Sequence, residues 1–387
     1  MKRQVAKGTA KYIIGEVKRF DQKNEGFNRG LWDPALKPLA EKFYGLVYPK
    51  DKDGYSLKDL SFRDAAWHVE LEFGHGTVNH NWGMYSWESK LIGLSELPPG
   101  LKLEVNDPVR MSQELKKVAK FLGASLVGIS EFDRRWVYSH SYDFETGEHR
   151  ELELPEEYKY AVVLAFEMDY ELVKTSPTWL AEATEGKGYS MMAFTTSMVA
   201  RFIRGLGYKA IPCGNDTALS IPLAIDAGLG ELGRNGLLIT PEFGPRVRLS
   251  KVFTDLPLVP DEPIEFGVVE FCEKCETCAK YCPSQAIIYG KRTTQPHNIS
   301  NNMAGQLKWP VNVDRCFGFW IRNEGSCMNC IRVCPFNKSS GWLHEAVRWL
   351  VKKAPWLDPF LVRMDELLGY GRKVRASNFW ERPTNDP

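Results

Sequence analysis

Apolar and polar positions keep two rhythms along this chain, and the change between them divides it. From residue 108 onward the periods are clean. Leu115, Val118, Ala119 and Leu122 recur at helical spacing, and Gly123 stops the run. SLVGISEF (125–132) and YAVVLAF (160–166) follow as apolar strands, separated by a polar insertion (133–158) that predicts a hairpin around Glu145, Thr146 and Gly147. A helix is predicted from Tyr189 to Leu206, with Gly207 as its stop. Then come a strand at 208–213, a short helix at 220–227, and strands at 236–240 and 247–258. Strands alternating with helices predict an α/β sheet. Residues 1 to about 107 show no such period, and turn signals at Asp33-Pro34, Pro49 and Asp53-Gly54 predict irregular structure. FGHGTVNHNWGMYSWE (73–88) has a loop composition, and its His75 and His80 read as hydrogen-bonded structure before they read as ligands. In the tail, Trp342, Leu343, Ala346, Val347 and Leu350 form an apolar helix face. It suits packing against the body, or else a partner or membrane surface.

Composition narrows the class. A chain of 387 residues has room for two or three domains, and 43% hydrophobic with 26% charged residues is ordinary for a globular protein. A formal net charge of +1 offers no basic face for nucleic acid. No apolar run is long enough to span a bilayer. The opening MKRQVAKGTAKYIIGEVKRF has basic residues but no apolar core, so it predicts a cytoplasmic protein or one whose export signal has been removed.

Eight of the nine cysteines fall between Phe271 and Phe336. Cys272, Cys275, Cys278 and Cys282 precede Pro283 in the bacterial ferredoxin pattern CxxCxxCxxxCP. Cys316, Cys327, Cys330 and Cys334 precede Pro335 and repeat its core, with the leading cysteine displaced upstream. In two-cluster proteins the fourth cysteine of each run serves the other cluster. The spacing therefore assigns Cys272, Cys275, Cys278 and Cys334 to one 4Fe–4S cluster, and Cys282, Cys316, Cys327 and Cys330 to a second. Structural zinc also uses CxxC pairs but seldom repeats this pattern twice. GLGELG (228–233) matches the dinucleotide fingerprint only in letters. It follows a helix and precedes a strand, the reverse of the order that motif needs, so it reads as a helix stop and a close-approach loop.

Fully cysteine-ligated clusters carry single electrons, and some 260 residues ahead of them must use those electrons. Tyr189 in GKGYSMMAF, Asn215 in IPCGNDTA and Arg248 in GPRVRL fall near predicted element ends, where α/β folds build sites. By position alone the plainer reading prevails, with Tyr189 as a packing residue and Arg248 as a sheet-edge charge. The block from about Gly188 to Phe336, together with the opening KYIIGEVKRFDQ, resembles the corrinoid-dependent respiratory reductive dehalogenases.

That resemblance implies a nitroreductase-like α/β (α+β) core with an inserted ferredoxin-like domain carrying two 4Fe–4S clusters. It implies a cobalamin-type corrinoid held base-off, with no protein histidine on cobalt, and an organohalide as substrate. Tyr189 then corresponds to a proton donor, Arg248 to its partner, and Asn215 to a polar residue of the same pocket. Arg248 is expected to lower the tyrosine's pKa. Asn298, Gly305 and Trp309, in the linker between the cysteine runs, are assigned to the corrinoid with Tyr189 and Asn215. Trp67, Trp82, Tyr85 and Trp87 are assigned to the substrate pocket wall. Implied partners are a small membrane anchor protein, an electron donor and a second copy of the chain, at the outer face of the cytoplasmic membrane. The expected divisions are an N-terminal unit (1–107), a corrinoid core (108–264, continued by 290–312), a dicluster domain (265–340) and a helical tail (341–387). Epoxyqueuosine reductase is a rival resemblance, and a dicluster ferredoxin-type carrier is a rival of another class.

Overall fold

The computed structural model describes residues 7–74, 83–88, 98, 100–143, 146–339 and 341–382. His75, His80, Trp82 and Glu145 lie outside them.

The N-terminal unit is more regular than its sequence suggests. It forms α1 (Gly26–Trp32), α2 (Lys37–Phe43) and the long α3 (Leu57–Phe73). A capping box starts α3: Ser56 Oγ accepts from the Asp59 N–H, and the Asp59 carboxylate accepts from the Ser56 N–H. The helix was hidden because its apolar residues do not gather on one face, and its stability comes from lying along the long helix Trp179–Gly205.

The core then follows. Asp107 caps α4 (Pro108–Phe121), with Pro108 at the first turn, and β1 (Leu126–Glu131) comes next. The insertion forms the hairpin β2 (His140–Tyr142) and β3 (His149–Glu151). After β4 (Tyr160–Glu167) and the single turn α5 (Tyr170–Val173) comes α6 (Trp179–Gly205), capped by Thr178 Oγ1 on the Ala181 N–H. The order closes with β5 (Ala210–Cys213), α7 (Ser220–Asp226), the short pair β6 (Glu231–Leu232) and β7 (Leu238–Ile239), and β8 (Val247–Thr254).

The main sheet has the order β1-β4-β8-β5, and every neighbouring pair is antiparallel. The fold is therefore α+β. Its strands read as continuous apolar runs because both faces are covered. Val162, Leu164 and Phe166 of β4 meet α4 and α6, whereas Ala161, Val163 and Ala165 face α7 and the cluster-bearing segment.

That segment runs through α8 (Val268–Lys274), α9 (Thr277–Lys280), α10 (Val313–Asn323) and α11 (Asn329–Arg332). The opening strap clasps the linker between its halves: the Ile14 N–H donates to the Gly305 carbonyl and the Leu307 N–H to the Tyr12 carbonyl. The tail forms α12 (Trp342–Lys353), α13 (Asp358–Leu368) and α14 (Ser377–Glu381). Val351 and Ala376 are buried, but Trp349, Trp356, Phe360, Leu367 and Leu368 stay exposed. The tail packs on the body along part of its surface only.

Candidate functional site

Helix α6 carries Tyr189 in its middle, not at its start. Gly186 and Gly188 gave the appearance of a break, because a mid-helix glycine costs about 1 kcal/mol. Here both permit close approach. A Cβ on Gly186 would stand 2.5 Å from the Trp67 ring, and one on Gly188 would stand 2.8 Å from Arg248 Cγ. Trp67, from α3, stacks on Tyr189 with ring centroids 4.9 Å apart.

Asn215 sits in the loop after β5. Lys251 of β8 fixes that loop from inside the protein. Its Nζ donates to the carbonyls of Gly214 (2.6 Å), Asp216 (2.8 Å) and Ala218 (2.6 Å). Burial pulls this ammonium's pKa down, while Cys213, Asp216 and Glu25 oppose the shift. The Asp216 carboxylate accepts from the Gly214 N–H and from Thr217 Oγ1. Asn215 Nδ2, so placed, donates to Tyr189 Oη at 2.9 Å.

Arg248 enters from β8, opposite Phe166. Its guanidinium stands 5.0 Å from the Tyr189 ring centroid and pairs with Glu185 Oε1 at 2.6 Å. Its positive charge favours the phenolate form of Tyr189. Asn215 Nδ2 is a donor to that oxygen and so does not take the phenol proton. The expectation for its pKa needs correction. Burial raises it above the ordinary value of 10.0. Arg248 and the Asn215 bond pull it down as expected, but desolvation is the larger effect. The phenol is fully protonated at neutral pH.

These residues border a cavity of about 630 Å³. Asn215, Arg248 and Glu185 line it directly, and Tyr189 meets it through Asn215 and Arg248. Cys282, Cys316, Cys327 and Cys330 line it as well. The cysteines fall into two groups by mutual electrostatic influence. Cys272, Cys275, Cys278 and Cys334 act on one another, as do Cys282, Cys316, Cys327 and Cys330, and Cys330 reaches both Cys278 and Cys334. None of the eight is in a disulfide. Burial pushes the Cys316 thiol up to about 12 and the Cys327 thiol up to about 11, so thiolates here need a bound cation to offset their lost hydration.

The cavity wall also carries polar groups without a partner among the described residues. Asn235 Nδ2, Gln306 Nε2, Trp320 Nε1 and Arg248 Nε are buried and unbonded. Burial pulls Lys308, also on the wall, down to about 8. A corrinoid is a flat ring fringed with amides, and cobalamin adds a phosphodiester. Amide donors, an indole N–H and a cation suit that periphery. No histidine stands among the described lining residues.

The linker assignments need revision. Trp309 lines the cavity, with its Nε1 donating to the Gly290 carbonyl. Asn298 and Gly305 do not line it. The Asn298 amide oxygen accepts from the Ser300 N–H in a turn. Gly305 stands at φ +69° with its Cβ direction filled by the Glu16 carbonyl, where only glycine fits against the strap. Ser300, Asn302, Gln306 and Lys308 line the wall in their place. The aromatics assigned to the pocket wall need the same revision: none of Trp67, Tyr85 and Trp87 is among the described lining residues, and Trp67 touches Tyr189, Tyr85 packs against Gly214, and Trp87 packs against the main core.

Sequence reasoning missed four carboxyls: the half-buried Glu25 and Glu70 and the buried Glu182 and Glu185. Burial raises Glu25 and Glu182 to about 7 and Glu70 to about 8. Glu185 was legible only as the residue one helical turn before Tyr189.

Comparison with known proteins matches the chain to two family models: "Reductive dehalogenase subunit" over residues 137–258 and "4Fe-4S double cluster binding domain" over residues 271–337. The tetrachloroethene reductive dehalogenase of Sulfurospirillum multivorans is 37% identical, across 92% of this chain and 76% of that protein. The tetrachloroethene reductive dehalogenase of Desulfitobacterium hafniense is 38% identical, across 78% of this chain and 63% of that protein. A solved reductive dehalogenase, described as suggesting a mechanism for B12-dependent dehalogenation, superposes with a TM-score of 0.73 at 25% identity. The match covers 96% of this chain and 49% of that one. The chain thus spans about half the length of that solved protein.

Proposed function

The chain belongs to the reductive dehalogenase family, and from that premise we propose that it removes halide from an organohalide by reduction. The observation that carries the proposal is one cavity lined by two unlike sets of residues: Asn215 and Arg248, which both touch Tyr189, and Cys282, Cys316, Cys327 and Cys330.

The family's cofactors are two 4Fe–4S clusters and a corrinoid. Cys272, Cys275, Cys278 and Cys334 would hold the first cluster, and the four cavity cysteines the second. Asn235, Gln306, Lys308 and Trp309 would hold the corrinoid. When bound, these groups supply single electrons and the low-valent cobalt that breaks the carbon–halogen bond. The rest of the work falls to the chain. Tyr189 holds a proton at Oη at neutral pH and delivers it to the carbon that loses halide. Asn215 and Arg248 fix that oxygen and stabilise the phenolate left behind. Glu185 neutralises Arg248 while the site is at rest.

The proposal extends to a membrane anchor protein, a separate electron donor and a homodimer partner, at the outer face of the cytoplasmic membrane. Its support is the exposed Trp349, Trp356, Phe360, Leu367 and Leu368 of the tail. No helix among the described residues is long and apolar enough to cross a membrane itself.

The test is reconstitution with iron, sulfide and cobalamin, followed by cobalt and iron per chain and reductant-driven halide release. Chlorinated alkenes, after the relatives' names, head the substrate panel. Iron without cobalt returns the chain to an electron carrier. Cobalt without halide release from any substrate removes the dehalogenase reading.

A further inference from the structure

Away from the cavity, the β2–β3 hairpin and the N-terminal strap bring two histidines and a carboxylate together. Tyr142 pairs with His149 and His140 with Glu151 in the hairpin, so His140 and His149 are diagonal neighbours on one face. Their rings stack with centroids 4.7 Å apart. His149 Nε2 lies 2.9 Å and 3.1 Å from the two carboxylate oxygens of Asp21. One donor atom from each of Asp21, His140 and His149 lies within 4.8 Å of the others.

The strap cannot drift from the hairpin. The Ser139 N–H donates to the Phe20 carbonyl at 2.8 Å, and the Tyr142 N–H to Gln22 Oε1 at 3.1 Å. Arg19 donates to the carbonyls of Val137, Tyr138 and Leu152. Asp21 is therefore fixed from both sides.

We propose that Asp21, His140 and His149 form a binding site for a divalent transition cation of the zinc class. Two imidazoles and one carboxylate are a zinc ligand set that leaves the fourth position to water. The spacing suits it. Two metal–ligand bonds of about 2.0–2.1 Å meeting at a tetrahedral angle hold their ligand atoms about 3.3 Å apart, a few tenths beyond the observed His149–Asp21 separations. The His140 Nδ1 contact with Ser139 Oγ, at 3.1 Å, holds that ring in place and leaves its Nε2 for a metal. The site joins the strap to the core four residues before Glu25, Gly26 and Phe27, which line the cavity. A bound cation is thus a clip that stiffens one cavity wall without touching the chemistry.

The experiment uses the cofactor-loaded protein and zinc chloride alone, in buffer freed of trace metal. Equilibrium dialysis with elemental analysis reads zinc and iron together. The expected result is one saturable zinc per chain with a Kd below about 10 µM and unchanged iron. His140→Gln and His149→Gln are each expected to weaken binding by about tenfold or more. Zinc raises the melting temperature of the parent protein and leaves both variants unmoved. Both side chains are partly exposed, so the variants fold, and their unchanged iron content verifies it. Absence of saturable zinc up to about 1 mM reduces the cluster to an ion pair and overturns the proposal. Binding that both variants retain places the zinc elsewhere and overturns it equally.

Discussion

Replacing Tyr189 with phenylalanine separates the proton from the packing. The ring remains, so Trp67 still stacks on it at 4.9 Å and Arg248 still stands 5.0 Å from its centroid. What leaves is one oxygen and the 2.9 Å bond that Asn215 donates to it. A neutral hydrogen bond of this kind contributes about 0.5–1.5 kcal/mol to folding, so the variant is expected to melt within a few degrees of the parent. The rate responds on another scale. A positioned general acid contributes about 10²–10⁴-fold, or about 2.7–5.4 kcal/mol of barrier at 1.36 kcal/mol per decade. The assay is reductant-driven halide release at saturating substrate, with cobalt and iron measured on the same samples. The expected result is a kcat lower by that factor at unchanged metal content. The pH profile is a second readout. Burial holds the phenol above its ordinary value of 10.0, so the parent loses rate through Tyr189 only above that pH, and the variant lacks this limb. A fully loaded variant within about threefold of the parent rate refutes the proton-donor role.

The glycines of α6 predict a geometric effect. Gly188→Ala drives a methyl to within 2.8 Å of Arg248 Cγ, and halide release should fall at least tenfold by a rise in barrier of about 1.4 kcal/mol. The crossed cluster assignment predicts which spectrum changes. Cys334→Ser perturbs the cluster of Cys272, Cys275 and Cys278, Cys282→Ser perturbs the cavity cluster, and low-temperature electron paramagnetic resonance of the two reduced variants distinguishes them. The same cluster altered by both substitutions refutes the crossing. Glu70 predicts a pH effect on stability. Its folded pKa of about 8 lies above the ordinary 4.5, so its contribution is complete below about pH 4.5 and is lost as pH rises through 8. Urea midpoints of the parent are expected to fall from pH 5 to pH 8.5, and Glu70→Gln to flatten that fall; parallel curves contradict the assignment.

The parts of this molecule legible in its sequence are those whose chemistry dictates spacing. A cubane needs thiolates at fixed intervals, so all eight cysteines announced themselves. A sheet covered on both faces needs unbroken apolar runs, so β1, β4 and β8 did too. Tyr189, Asn215 and Arg248 were found by resemblance, because single polar residues carry no period. What stayed hidden depends on tertiary contact. Helix α3 has no apolar stripe and is held by α6. The first ten residues of α6 were obscured by Gly186 and Gly188, whose reason is the approach of Trp67 and Arg248. Glu185 lay in that unread stretch, and only Arg248, from a strand some sixty residues later, gives it a role. Antiparallel pairing was likewise invisible in the alternation of strands and helices, which does not by itself give strand direction.

Glu185 has one more consequence. Its carboxylate takes Arg248 with one oxygen and the Ser326 hydroxyl with the other, while the neighbouring Glu182 accepts the Ser326 N–H at 3.1 Å. Ser326 immediately precedes Cys327. The loop that carries Cys327 and the arginine beside Tyr189 therefore share a single anchor. A displacement of the Cys327 loop is thus passed through Ser326 and Glu185 to the guanidinium, so the position of Arg248 is tied to how that loop is held.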